Sequence, residues 1–122
     1  TTGIMTQRAL TASDSLSGHG INSGVLHFHT IKPLDEQLLI EMSSKVQLIV
    51  TVEEHVLAGG LGSLVLETLN AFGLDRKPNV VRLGIPDSFA ENYGSQDSLL
   101  KIWKLDPPSL VAKVIEVLND EN

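Results

Sequence analysis

TVEEHVLAGGLGS, Thr51 to Ser63, decides how this chain is read. It carries an apolar run ending in Val50 and Val52 into two adjacent carboxylates and a histidine. The glycines Gly59, Gly60 and Gly62 then open a helix that begins near Ser63. Strand, polar tip, glycine turn and helix is how α/β proteins place sites at the carboxyl edge of a sheet.

Working outward, two more runs have the Val and Ile content and length of buried strands: Gly24 to Phe28 and Asn79 to Leu83. The middle run, Val46 to Val52, is apolar almost throughout, as expected of a central strand covered on both faces. Helical patterns separate the runs. One spans about residues 6–19 with Ala9, Leu10, Ala12 and Leu16 inward. Another follows Asp35, an N-cap with Leu34 and Leu39 as a hydrophobic staple. A third, about residues 62–72, puts Leu61, Leu64, Val65, Leu69 and Phe72 on one stripe and stops at Gly73.

After the last strand, Pro86 to Gly94 reads as a loop. A short helix follows Ser95 with Leu99, Leu100 and Trp103 inward, while Tyr93 is expected to anchor the loop. Asp106-Pro107 then reads as N-cap and first position of a final helix burying Leu110, Val111, Val114, Ile115 and Leu118. The alternation predicts a single domain over residues 1–122, an α/β three-layer α/β/α sandwich with a mostly parallel sheet. Three strands is few for such a sheet, and Thr1-Thr2-Gly3 looks like the tail of a strand whose body is missing.

Composition sets the outer bounds. Apolar residues make up 42% of the 122 residues and charged residues 20%, an ordinary soluble globular balance. The net charge of −6, with no basic stretch longer than Arg76-Lys77, speaks against nucleic acid and anionic membrane as partners. No apolar run approaches the roughly 18 residues of a membrane helix, and no leader-like segment opens the chain. Cys is absent, which removes disulfides and thiolate chemistry. The cytoplasm is the default expectation.

The chemistry-bearing residues leave alternatives open. Gly59, Gly60, Gly62 and Ser63 suit either an anion held on a helix N-terminus or a tight turn with close packing. The dinucleotide fingerprint fails, because Val65 stands where its third glycine belongs, and no P-loop Gly-Lys-Ser/Thr occurs. His27 and His29 share a face if their run is a strand. Parallel strands would bring His29 towards Glu53, Glu54 and His55, as a hydrogen-bonded network, a subunit contact or, with a further ligand, a metal site. Glu53 and Glu54 alternate faces, so one points inward to cap the following helix and the other faces out. Ser63 has no evident base, and no catalytic set is complete.

Three motifs, HTIKPLD (His29 to Asp35), VTVEEHVLAGGLGS (Val50 to Ser63) and RLGIPDSF (Arg82 to Phe89), go further. In this order and spacing they resemble the C-terminal domain of transketolases, most closely the separate C-terminal subunit of split transketolases. 1-Deoxyxylulose-5-phosphate synthases and 2-oxoacid dehydrogenase β subunits share a looser form. The resemblance implies a largely parallel five-stranded sheet whose strand just before the position of Thr1 this chain lacks. It implies a parent enzyme that uses thiamine diphosphate and Mg²⁺ to move two-carbon units between sugar phosphates, the cofactor doing the hard chemistry.

It also implies that the cofactor is held by other domains, so this chain alone binds none and contributes no catalytic residue. Its partners are then the cofactor-binding transketolase domains or subunits, in a homodimer or heterotetramer. His29, Glu54, His55, Gly59, Gly60, Gly62 and Ser63 are the candidate interface or anion-contact residues. An acyltransferase-binding interaction module and a small-ligand regulatory domain are the remaining expectations.

Overall fold

A computed structural model describes residues 1–74, 76–89 and 93–120. The chain runs α1 (Met5–Gly18), α2 (Glu36–Ser43), β1 (Leu48–Val56), α3 (Leu61–Ala71), β2 (Asn79–Ile85), α4 (Gln96–Ile102) and α5 (Pro107–Asp120). β1 and β2 pair in parallel from Leu48 opposite Asn79 to Val52 opposite Leu83. The right-handed βαβ crossover expected of such a pair passes through α3.

Side-chain alternation along β1 builds the three layers. Val50 and Val52 face a core formed with Met5 and Ala12 of α1, Leu100 of α4, Leu105 and Leu110 of α5. Ile49 faces the opposite core, made by Phe28, Leu34, Leu39 of α2 and Leu61, Val65 and Leu69 of α3. Each fully enclosed Leu contributes on the order of 2 kcal/mol. The helix ends follow the local chemistry. Asp35 accepts from Leu38 N–H at 3.0 Å, and Ser95 accepts from Ser98 N–H at 3.2 Å. Gly73, at φ +57°, lies just beyond Phe72, which caps α3. Asp106 receives the Ser109 hydroxyl at 2.6 Å at the start of α5.

Several expectations change. Gly24–Phe28 is not a strand of the sheet, which has two strands among the described residues rather than three or five. A run becomes a strand only through a neighbour's ladder, and its backbone is bonded instead to the single residue Thr1: Thr1 N–H donates to Leu26 O at 2.8 Å and Phe28 N–H donates to Thr1 O at 2.9 Å. Leu10 and Phe72 are exposed rather than inward, because each sits at the margin of its helix's apolar stripe. Tyr93 is fully exposed and anchors nothing. On α5, Val117 is buried while Val114, Ile115 and Leu118 are half-buried. Of the Pro86–Gly94 loop, Ala90, Glu91 and Asn92 lie outside the described residues.

Candidate functional site

The carboxyl end of β1 is built around Glu53. Odd positions of β1 face α3, which carries Thr51 and Glu53 beneath the glycine turn. Glu53 is 1% exposed, and its two carboxylate oxygens accept from the first two N–H groups of α3, Leu61 at 2.7 Å and Gly62 at 2.9 Å. Those N–H groups have no partner within the helix, and the helix dipole favours a negative charge there. The α3 N-terminus is therefore filled by the chain's own carboxylate.

The glycines make this approach possible. A Cβ on Gly60 would overlap Glu53 Oε2, and one on Gly62 would sit 2.7 Å from both Thr51 Oγ1 and Arg82 Cδ. Gly59 holds φ at +72°, a left-handed conformation that other residues adopt at a cost. Ser63 locks the turn: its hydroxyl donates to Leu57 O at 3.0 Å and accepts from Gly59 N–H at 3.1 Å and from Arg82 Nη1 at 3.2 Å. Arg82 Nη1 also reaches Leu57 O at 3.3 Å. A serine so occupied is a structural hydroxyl.

Opposite the polar tip the ladder is irregular. Pairing resumes at Val56 opposite Ile85, so Glu53, Glu54 and His55 lie across from the single residue Gly84. A Cβ on Gly84 would come within 2.8 Å of His55 O, which is why the bulge needs glycine there. Glu54 faces outward and accepts two hydrogen bonds from Gln96 Nε2, at 2.8 and 2.9 Å, tying β1 to α4. His55 is exposed, with its ring Nδ1 2.8 Å from Val56 O.

His29 remains with its own segment. Its Nδ1 lies 2.6 Å from Thr30 Oγ1, and its ring centroid is 6.5 Å from that of His27. His27 in turn meets Thr6 Oγ1 at 2.6 Å. Among the described residues no group of three or more His, Cys, Asp or Glu side chains is placed to hold a metal ion. The expected cluster of His29 with Glu53, Glu54 and His55 is thus divided into an inward cap, an outward Glu–Gln tie and a separate histidine pair.

Glu53 also interacts with the amino group of Thr1. The amino terminus of Thr1 is lowered to a pKa of about 6, chiefly because burial disfavours its charge, and Glu53 opposes that shift. Sequence reasoning left open which glutamate turns inward and did not single out Arg82, Gly84 or Thr51. Parity with Ile49 is the signal that selects Glu53. Thr51, whose buried hydroxyl has no partner among the described residues, gave no signal at all.

The family described as transketolase, C-terminal domain, matches residues 1–110. A 1-deoxy-D-xylulose-5-phosphate synthase of Caldanaerobacter subterraneus subsp. tengcongensis is 45% identical over 93% of this chain and 18% of its own. Its counterpart in Syntrophotalea carbinolica is 43% identical over 92% of this chain and 17% of its own. A solved structure, a split gene transketolase in an inactive β4 tetramer, superposes with a TM-score of 0.85 at 36% identity, over 97% of this chain and 37% of that one. The chain spans less than a fifth of those two synthases. With the family match over most of its length and the fold in agreement, the chain belongs to the transketolase C-terminal domain family.

Proposed function

We propose that this chain is the C-terminal domain or subunit of a transketolase-type enzyme that transfers two-carbon ketol units between sugar phosphates. Its own role is to support the assembly, while other domains hold thiamine diphosphate and Mg²⁺. The observation that carries this reading is Glu53 seated on the α3 N-terminus. The glycine turn is shaped like an anion cradle but is occupied by an internal carboxylate, so a diphosphate there meets like charge and two already bonded donors. The residues present do not fit the cofactor, and no step of the chemistry is assigned to them.

The exposed members of the polar edge, His29, Glu54, His55 and Gly59, are then available to a neighbouring domain or subunit. The buried glycines Gly60 and Gly62 shape the turn that presents them. Reconstitution tests the reading. Mixed with the cofactor-binding domains, the chain is expected to restore turnover that neither part has alone; turnover by the 122-residue chain by itself sinks it.

A second reading, the C-terminal domain of a 1-deoxy-D-xylulose-5-phosphate synthase, is favoured by the 45% and 43% identities to such enzymes. Reconstitution with synthase and with transketolase cofactor domains in parallel separates the two by which assay recovers.

A further inference from the structure

His27 and His29 take no part in the polar edge around Glu53, yet both are held in a defined way. Phe28 between them is buried in the α2–α3 core, which fixes the backbone that carries the two exposed rings. The ring centroids lie 6.5 Å apart, with the planes tilted by 47°. Two imidazoles sharing one metal through bonds of about 2.0–2.1 Å have ring centres roughly 4.5 to 6.4 Å apart, from a right-angled to a linear pair. The histidines stand at the outer end of that range. Rotation of the exposed His29 side chain can close the gap.

Hydrogen bonds to α1 decide which nitrogen of His27 is free. Thr1 Oγ1 donates its proton to Leu26 O at 3.1 Å, so towards Thr6 it can only accept. Thr6 Oγ1, 2.8 Å away, therefore donates to Thr1. Its one proton is then spent, and at 2.6 Å it can only accept from His27 Nδ1. The network thus assigns the His27 proton to Nδ1 and leaves a bare lone pair on Nε2, the form that ligates metals. Thr30 Oγ1, 2.6 Å from His29 Nδ1, can accept the second ring's proton in the same way.

We propose that His27 and His29 bind one divalent ion of the imidazole-preferring class, Cu²⁺ or Zn²⁺, through their two Nε2 atoms. Thr6 and Thr30 hold the rings from behind, and water fills the remaining positions. Two protein ligands make a weak, open site rather than a closed structural one, which takes four. Mg²⁺ prefers oxygen ligands and should not bind here. The inference stands on the geometry of the histidine pair and does not depend on the enzyme assignment.

The test is calorimetric titration of the 122-residue chain with Cu²⁺, Zn²⁺ and Mg²⁺. Cu²⁺ and Zn²⁺ should each bind at one ion per chain, Cu²⁺ the more tightly, and Mg²⁺ should give no heat. Electron spin echo of the Cu²⁺ form should show two coordinated imidazoles, and His27→Ala or His29→Ala should each leave one. Both rings are exposed, so these variants should keep the fold. Thr6→Val keeps the side-chain shape without the hydroxyl, and should weaken binding about tenfold. In the metal-free chain, nitrogen NMR of the neutral His27 ring should find its proton on Nδ1.

A Cu²⁺ form with a single imidazole overturns the paired site. So does one-to-one binding that survives replacement of both histidines by alanine, which would move the ion to His19, His55 or the amino terminus. Stoichiometric Mg²⁺ binding lost in the same double variant overturns the assigned metal class. A neutral His27 with its proton on Nε2, or unchanged affinity in Thr6→Val, overturns the hydroxyl relay that prepares the site.

Discussion

The two halves of β1 handle their exposed chemistry in opposite ways. The carboxyl half is polar and closed: Glu53 is capped onto α3, Ser63 and Arg82 lock the turn, and Gly60, Gly62 and Gly84 let backbone and side chains approach. The amino half is apolar and open, with half-buried Leu48, Ile49 and Val50 beside a cavity and an amino terminus held in the interior. Polar groups at a sheet edge suggest a site, but saturation within the chain leaves them structural. Apolar residues suggest a finished core, yet Leu48, Ile49 and Val50 stay half-buried beside a cavity. Satisfaction of partners, not residue type, makes the polar edge a scaffold.

Breaking the closed half should cost most. Glu53→Ala leaves the Leu61 and Gly62 N–H groups buried without an acceptor, and should lower unfolding free energy in urea by about 3 kcal/mol. A loss below about 0.5 kcal/mol, the range of surface substitutions, would mean the cap is dispensable.

The open half should show itself in pH. The folded pKa of the Thr1 amine is about 6 against an ordinary 8.0, so the unfolded chain binds the proton more tightly. Stability from this group is therefore full above pH 8, falls between 8 and 6, and stays low below 6. The change is about 2 kcal/mol after allowance for the partial exposure of Thr1. Comparison with the N-terminally acetylated chain isolates it, because acetylation removes the titrating amine. Identical pH slopes for the two would place the amine in solvent.

Smaller effects sharpen the contrast. Gly59→Ala should cost about 1 kcal/mol through its left-handed backbone alone, as no side chain lies within 4 Å of the added methyl. Thermal unfolding measures it, and a cost near that of Glu53→Ala would show that the turn itself bears on the cap. Gln96→Ala removes the outward tie to Glu54, an exposed contact worth less than about 1 kcal/mol. A larger loss in denaturant titration would show the outer face of β1 to be held as firmly as the inner one.

Much of this was legible beforehand. Asp35 and Ser95 announced their helices by residue type, because capping is a local match between one side chain and the next turn. The glycine cluster announced a turn before α3 for the same reason. The Gly24–Phe28 run had strand composition but no ladder beyond Thr1, since pairing belongs to two segments at once. Phe72 and Leu10 fitted helical stripes yet fell outside the contact, because the width of a buried stripe is set by the neighbour that covers it. Leu10 and His29 show the same limit from opposite sides: one apolar residue left out, one polar residue kept apart.

The sequence by itself determined the α/β class, the caps and breaks of the helices, and through its three motifs the family. All of these rest on short-range chemistry or on wording along the chain. Only the tertiary structure decided that Glu53, rather than Glu54, turns inward to occupy the α3 N-terminus, and that His29 stays apart from both. It alone bonded Thr1 to Leu26 and Phe28 and left a cavity along β1. Those facts depend on which segments end up side by side, and the burial that makes a carboxylate a cap exists only once they do.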